Sequence, residues 1–249
     1  MPTPQFSEVA DTGDRLAGIQ PTLTRRGILG AGIALSLNAT GAGGTSPRLD
    51  NELTPNSTPD EVLSFLYAGN ERFAKGEPLA RNRNIERVRQ VAKEQKPFAA
   101  FLGCADSRVP IEILFDQGFG DLFVTRIAGN VASSENVGSL EFGTLVLGAK
   151  VLFVLGHTNC GAVAATIQAK EVPGLISGLF QYIRPAAKEA KGDLAKAVEL
   201  NVRNQAIALA ESSPVIAQLI REKRLVIAGG VYDLSTGKVV PIDLTVESH

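Results

Sequence analysis

The chain has 249 residues, 44% of them hydrophobic, so it can bury one substantial core, although its length permits one or two domains. Charged residues make up 20% of the chain and nearly cancel, which leaves a formal net charge of −1. This balance gives no electrostatic footprint for nucleic acid or acidic lipid, and it favours a small, weakly charged substrate. The rarest residues are the most informative, because there are only two cysteines and two histidines.

Residues 1–58 are rich in Pro, Thr, Ser and Gly, and we predict that they form an export signal and a flexible segment outside the folded domain. Arg25 and Arg26 stand directly before an apolar, uncharged run that lasts until Arg48. That order resembles a twin-arginine export signal and predicts a periplasmic location. The alternative is a cytoplasmic protein with a disordered arm or a docking helix there, because acidic residues near the start offset the arginines.

A membrane anchor is not expected in the processed protein. Only the stretch from Ile28 to Leu37 is strongly apolar, whereas a spanning helix needs roughly 20 such residues. The glycines between Gly41 and Gly44 weaken the pattern further. We therefore predict no stable membrane span after processing.

The folded domain is predicted to occupy residues 59–249. Thr58, Pro59 and Glu61 have the order of a helix N-cap, a first helical position and a capping box, and a second helix is expected from about Asn84. Beyond it, short apolar runs alternate with helical stretches, which predicts an α/β fold with a mostly parallel sheet flanked by helices on both faces. The predicted strands are Phe98–Gly103, Leu122–Ile127, Val151–Leu155 and Leu225–Ala228, and the predicted helices are Ser139–Gly148, Gly161–Lys170, Gly174–Lys191 and Leu194–Ser212.

Two short motifs follow predicted strands. Cys104, Asp106 and Arg108 come directly after the first strand, and His157 and Cys160 come directly after the third. In parallel sheets, chemistry collects just past the carboxyl ends of the strands, so neighbouring strands would bring the two motifs together.

Two thiolates and one imidazole make three good zinc ligands, and a tetrahedral ion takes a fourth from protein or solvent. The separation of 53 positions from Cys104 to His157 is too long for a zinc finger, but it suits ligands from two strands of one domain. Asp106 is the available fourth ligand. Arg108 lies close enough to pair with Asp106 through a bidentate guanidinium–carboxylate contact, which would leave one metal position open for water. The competing interpretation is a disulfide between Cys104 and Cys160, a common fate of paired cysteines in exported proteins.

Cys-x-Asp-Ser-Arg followed by His-x-x-Cys-Gly resembles the paired signature of β-carbonic anhydrases. The segment from Leu122 to Asn130 and the turn from Gly229 to Asp233 resemble the same family, so the resemblance covers roughly residues 60 to 245. It implies a three-layer fold and reversible hydration of carbon dioxide to bicarbonate and a proton, by attack of zinc-bound hydroxide. It also implies one Zn²⁺ per subunit on Cys104, His157 and Cys160.

The resemblance assigns further roles. Asp106 and Arg108 become the catalytic dyad, and the carbon dioxide pocket falls on Gln95, Phe123, Phe142 and Gly161. Some family members close the zinc with the aspartate and bind bicarbonate at a separate site. Phe101 stands here where those members have tryptophan, so we expect the open, unregulated form, with Asp106 as a fourth ligand only in a closed state.

The family usually assembles as dimers, and pairs of dimers are common, which implies a homodimer or a dimer of dimers. Two other functions stay open on the sequence alone. One is a non-catalytic, zinc-stabilised scaffold or bicarbonate-binding module, and the other is hydrolysis of carbon disulfide or carbonyl sulfide by the same chemistry.

Overall fold

A computed structural model describes residues 53–169 and 171–244, and a five-stranded sheet forms the centre of this part of the chain. The strands are β1 (Ala99–Gly103), β2 (Leu122–Arg126), β3 (Val151–His157), β4 (Val226–Tyr232) and β5 (Val239–Ile242). They lie in the order β2-β1-β3-β4-β5, in which the first four run parallel and β5 pairs antiparallel with β4. The predicted mostly parallel sheet is therefore confirmed.

The four predicted strands are present with small shifts at their ends. β3 and β4 continue past their apolar runs, to His157 and Tyr232. The fifth strand was not predicted, because it is short, lies at the edge of the sheet and contains Pro241, a residue that edge strands tolerate but that weakens any strand pattern.

Eight α-helices surround the sheet in the described ranges, together with one π-helical turn, Phe142–Val146. The helices are α1 (Pro59–Lys75), α2 (Ile85–Val91), α3 (Ile111–Leu114), α4 (Ser134–Glu141), α5 (Gly161–Ile167), α6 (Ile176–Glu189), α7 (Leu194–Ser212) and α8 (Pro214–Arg221). The predicted capping box is present at the start of α1. Thr58 N donates to Glu61 Oε2 at 2.7 Å, and Glu61 N donates to Thr58 Oγ1 at 3.3 Å.

Three helical features differ from the sequence prediction. The crossover predicted at 139–148 begins earlier, at Ser134, and its second half is the π-helical turn. α3 has only four residues, which is too short to show periodicity. α8 follows α7 with only Ser213 between them, and Ser213 caps α8 through a hydrogen bond to the N–H of Ile216.

The two faces of the sheet carry separate apolar clusters. Alternate residues of β1 and β3 point to opposite sides, so Phe101 and Phe153 pack on one face, and Leu102 and Val154 pack on the other. α1 and α3 contribute to the first cluster, whereas α7 and α8 contribute to the second. This gives three layers, helices on sheet on helices, which fixes the carboxyl ends of the strands.

Residues 53–58 contact the domain that follows them. Leu53 packs against the first apolar cluster, and Lys150 Nζ donates hydrogen bonds to the carbonyl oxygens of Pro55 and Ser57. The predicted export signal around Arg25 and Arg26 lies outside the described residues. Within residues 53–169 and 171–244, no helix combines the length and hydropathy needed to cross a bilayer.

Candidate metal centre and active site

Adjacent strands bring the two sequence motifs to one end of the sheet. β1 pairs directly with β3, with Gly103 opposite Leu155. Cys104 follows Gly103, His157 ends β3, and Cys160 immediately precedes α5. The backbone therefore places these three side chains together, as the sequence predicted.

The donor atoms of Cys104, His157 and Cys160 all lie within 4.8 Å of one another, and all three residues are buried. Both cysteines are free thiols, so the disulfide alternative is not what the structure shows. Two sulfurs and one imidazole nitrogen at this separation form a donor set suited to a single zinc-sized ion.

The hydrogen bonding of His157 fits a metal ligand. His157 Nδ1 lies 2.9 Å from the carbonyl oxygen of Thr158, which only accepts, so Nδ1 carries the proton and the Nε2 lone pair is free. Nε2 is buried and has no hydrogen-bond partner among the described residues. An orphaned acceptor between two sulfurs is costly unless a cation occupies the space, and so the residues present fit zinc.

The surroundings of Cys104 favour its thiolate. The Cys160 thiol donates a hydrogen bond to the Cys104 sulfur, and the backbone N–H of Gly129 donates another at 3.3 Å; together they hold the pKa of Cys104 below its ordinary value, although burial opposes them. Cys160 keeps the shared proton, and this hydrogen bond together with burial raises its pKa. A bound cation would replace that proton and take both sulfurs as thiolates.

Asp106 is held beside the donor set by Arg108. Asp106 Oδ1 accepts hydrogen bonds from the backbone N and the Nε of Arg108, both at 2.9 Å, and Oδ2 accepts one from Nη2 at 2.8 Å. The guanidinium contact holds the pKa of Asp106 well below its usual range. Asp106 Oδ2 also lies 3.8 Å from His157 Nε2, so the predicted pair borders the metal donors.

The protein-family model for carbonic anhydrase matches residues 99–239, which is more than half of the chain. A carbonic anhydrase of Mycolicibacterium smegmatis is 39% identical over 193 residues, covering 74% of this chain and 94% of that protein. The chain belongs to the carbonic anhydrase family.

Solved structures agree with this family. The Coccomyxa β-carbonic anhydrase in complex with acetazolamide matches with a TM-score of 0.56 and 30% identity, covering 61% of this chain and 75% of that one. The β-carbonic anhydrase CafA of Aspergillus fumigatus matches with a TM-score of 0.61 and 25% identity, covering 74% of this chain and 92% of that one. The protein is therefore a carbonic anhydrase, a lyase with the β-class α/β fold.

Arg126 holds the first motif of this carbonic anhydrase in place, a role that the sequence did not predict. Arg126, the last residue of β2, donates from Nε to the carbonyl oxygen of Cys104 at 2.8 Å and from Nη2 to that of Asp106 at 2.5 Å. The guanidinium thus holds the loop from Cys104 to Asp106. Its place at the end of a strand beside β1 was the available signal.

The predicted carbon dioxide pocket is only partly assembled within one chain of this carbonic anhydrase. Gly161 adjoins Cys160 at the start of α5. Gln95 is exposed and precedes β1, so it lies at the opposite end of that strand from Cys104. Phe123 is level with Ala100 near the start of β1.

Phe142 lies near Phe123, with ring centroids 6.3 Å apart, and is 46% exposed. A single chain therefore separates Gln95, Phe123 and Phe142 from the metal donors by about the length of β1. Phe101 is fully buried and its ring packs against those of Phe115 and Phe153, so it serves the core.

Proposed function

We propose that this carbonic anhydrase is a zinc enzyme that reversibly hydrates carbon dioxide to bicarbonate and a proton. One observation carries the proposal: the orphaned Nε2 of His157 and the sulfurs of Cys104 and Cys160 converge beside a carboxylate that Arg108 holds in place. A scaffold needs only the metal donors. The ordered Asp106 next to them favours catalysis.

Cys104, His157 and Cys160 would hold the ion. When bound, zinc supplies a Lewis acid that makes a water molecule ionise at moderate pH. Asp106 accepts a hydrogen bond from the attacking water, which aims the oxygen lone pair at the carbon of carbon dioxide. Arg108 keeps Asp106 ionised and fixes its direction. We therefore propose the open, unregulated arrangement, in which Asp106 stays with Arg108.

We further propose that two copies of the chain complete the substrate pocket. β2 is an edge strand, and the adjoining π-helical turn exposes Phe142, Leu145 and Val146, an apolar surface of the kind that marks an interface. A homodimer through this face would place the pocket residues Gln95, Phe123 and Phe142 of one copy near the metal donors of the other. Two such dimers would then form a dimer of dimers, as is common in the family.

The dimer face can be tested with the double variant Leu145→Glu and Val146→Glu. Sedimentation velocity should show a shift from dimer to monomer, together with a loss of activity, because two carboxylates cannot be buried unpaired. Leu175→Glu is the matched control, since Leu175 is an exposed leucine outside that face. A double variant that stays dimeric and active would exclude this interface.

Export to the periplasm is also proposed, on the strength of Arg25 and Arg26 before an apolar run. Replacing both arginines by lysine in a host with a twin-arginine pathway should leave the protein in the cytoplasm. Recovery of the doubly substituted protein in the periplasm at the wild-type level would contradict the proposal.

The activity is tested by metal analysis and stopped-flow kinetics on the purified protein. We expect one zinc per chain and rapid carbon dioxide hydration, and Cys160→Ala should lose the metal. Sulfide release from carbon disulfide and carbonyl sulfide should be measured in parallel. Faster turnover of those analogues than of carbon dioxide would favour the hydrolase alternative, whereas bound zinc without turnover of any of them would favour the scaffold.

A further inference from the structure

Two buried amides on α7 bind the loop next to the metal donors. Asn201 and Gln205 are one helical turn apart and are 1% and 3% exposed. Asn201 Nδ2 donates to the carbonyl oxygen of Gly129 at 2.9 Å, and the N–H of Ala132 donates to Gln205 Oε1 at 2.8 Å. Gln205 Nε2 also donates to Asn201 Oδ1 at 3.1 Å. We call Asn201 and Gln205 the amide clamp, because they hold both ends of the 129–132 segment.

The clamped segment also contacts the metal donors. The N–H of Gly129 donates to Cys104 Sγ at 3.3 Å, so one residue has its N–H on the sulfur and its carbonyl on Asn201. Gly129 has a positive φ of 76°, and a Cβ added there would lie 2.6 Å from Ile183 Cδ1. Its position is thus set tightly from three directions.

The next residue, Asn130, has a left-handed backbone and a buried amide without a partner among the described residues. Its φ is 44°, and the buried atom is Nδ2. Asparagine tolerates this left-handed backbone better than other non-glycine residues, but a buried amide without a partner is costly, so the surroundings must hold the conformation. The amide clamp is positioned to impose it, since its two hydrogen bonds flank Asn130.

We infer that Asn201 and Gln205 are positioning residues for Cys104. They aim the Gly129 N–H at the sulfur, and a hydrogen bond to a thiolate reduces the negative charge that the sulfur gives to a metal. This inference rests on the proposed zinc site, because it concerns the metal ligand Cys104. Groups that orient a ligand in this way typically change metal affinity or activity by about 10- to 100-fold when they are removed.

The test compares Asn201→Ala and Asn201→Asp with wild type and with a matched control. Aspartate keeps the size of the side chain and the acceptor for Gln205, but loses the donor to Gly129. Asn70→Ala is the control, because Asn70 is also buried and bonds three backbone groups, the carbonyls of Leu114 and Gly237 and the N–H of Val239. It lies in α1, away from the clamp.

Zinc affinity is measured by competition with a chromophoric chelator, and folding is followed by thermal unfolding of the metal-free protein. Each protein is also loaded with cobalt(II), whose thiolate-to-metal absorption band reports the donor strength of the sulfurs. We expect both Asn201 variants to bind zinc about 10- to 100-fold more weakly, because the segment no longer holds Cys104 in place. The band should shift to longer wavelength, because a thiolate without the Gly129 hydrogen bond is a stronger donor. Asn70→Ala should lower the unfolding temperature but leave the affinity and the band unchanged.

The outcomes separate this inference from the zinc proposal. A folded Asn201→Asp protein with wild-type zinc affinity and an unshifted band would overturn the role of the clamp while leaving the zinc site intact. A wild-type protein that binds neither zinc nor cobalt would overturn both. If Asn201→Ala fails to fold, the isosteric Asn201→Asp variant decides the question by the same two measurements.

Discussion

Arg108 contacts both carboxylate oxygens of Asp106, through Nε at 2.9 Å and Nη2 at 2.8 Å. A planar guanidinium fork matches the carboxylate at two points, whereas a lysine ammonium is a point charge and leaves the carboxylate free to rotate. Asp106 Oδ2 is still only 3.8 Å from His157 Nε2. The dyad therefore keeps a charged acceptor beside the metal donors while restraining it from turning towards them.

Replacing Arg108 by lysine should separate charge from orientation. We expect Arg108→Lys to retain one zinc per chain and to lose roughly 100-fold in kcat/KM, because a mispositioned proton acceptor forfeits the usual contribution of acid–base catalysis. Stopped-flow hydration and metal analysis measure the two quantities. Arg221→Lys, an exposed change on α8, is the control, and wild-type kinetics in Arg108→Lys would show that the fork is dispensable.

Two thiolates among the metal donors predict the direction of the pH profile. They neutralise more of the ion's charge than three neutral imidazoles would, so the attacking water ionises less readily than at the pKa of roughly 7 known for favourable zinc sites. We expect kcat to rise from about pH 7 towards about pH 9 as the water loses its proton. A turnover rate that falls steadily above neutrality would contradict this donor set.

The sequence predicted that the two motifs would meet at one end of the sheet, because each directly follows an apolar strand and its residues lie close together along the chain. It did not predict the contacts that cross the fold. Asn201 and Gly129 are 72 residues apart, and a polar residue within a helix gives no sign of which loop it will meet. The resemblance assigned Gln95 to the pocket beside the metal donors. Gln95 precedes β1 and Cys104 follows it, so within one chain the length of the strand separates them.

A second carboxylate, Asp116, links the segment after α1 to the core. Its side chain is fully buried, and its oxygens accept hydrogen bonds from Arg72 Nε at 2.8 Å, from the N–H groups of Leu79 and Ala80 at 2.9 Å, and from Arg83 Nη2 at 3.3 Å. Burial alone would raise the pKa of Asp116, but the hydrogen bonds outweigh it and the net pKa is lowered.

Acid unfolding should depend on Asp116 in a defined direction. A carboxyl group with a lowered pKa in the folded state stabilises the protein fully above its unfolded pKa, near 4, and loses that contribution as the pH falls through the folded value. We expect Asp116→Asn to cost roughly 3–5 kcal/mol at neutral pH, because the arginines lose their buried negative partner and an amide NH2 group takes the place of one acceptor oxygen.

Urea unfolding at several pH values checks this expectation. The difference between wild type and Asp116→Asn should stay constant above about pH 5 and shrink below about pH 4. Glu77→Gln, an exposed change in the same segment, should stay within about 0.5 kcal/mol of wild type at every pH. A difference that grows on acidification would mean that the pKa of Asp116 is raised in the folded state, contrary to this prediction.

Proton removal should make the enzyme depend on buffer. Among residues 53–169 and 171–244, His157 is the only histidine, so this part of the chain offers no second imidazole to carry the proton away. A groove of about 960 Å³ is lined by Arg108, Thr158 and Asn159, and it gives small buffers access to the neighbourhood of the dyad.

We expect kcat to rise with buffer concentration at fixed pH and ionic strength and then to saturate, as measured by stopped-flow with imidazole buffers of graded size. Rates that are independent of buffer would require a relay through the protein's own carboxylates, such as Asp193 or Asp233 in the same groove.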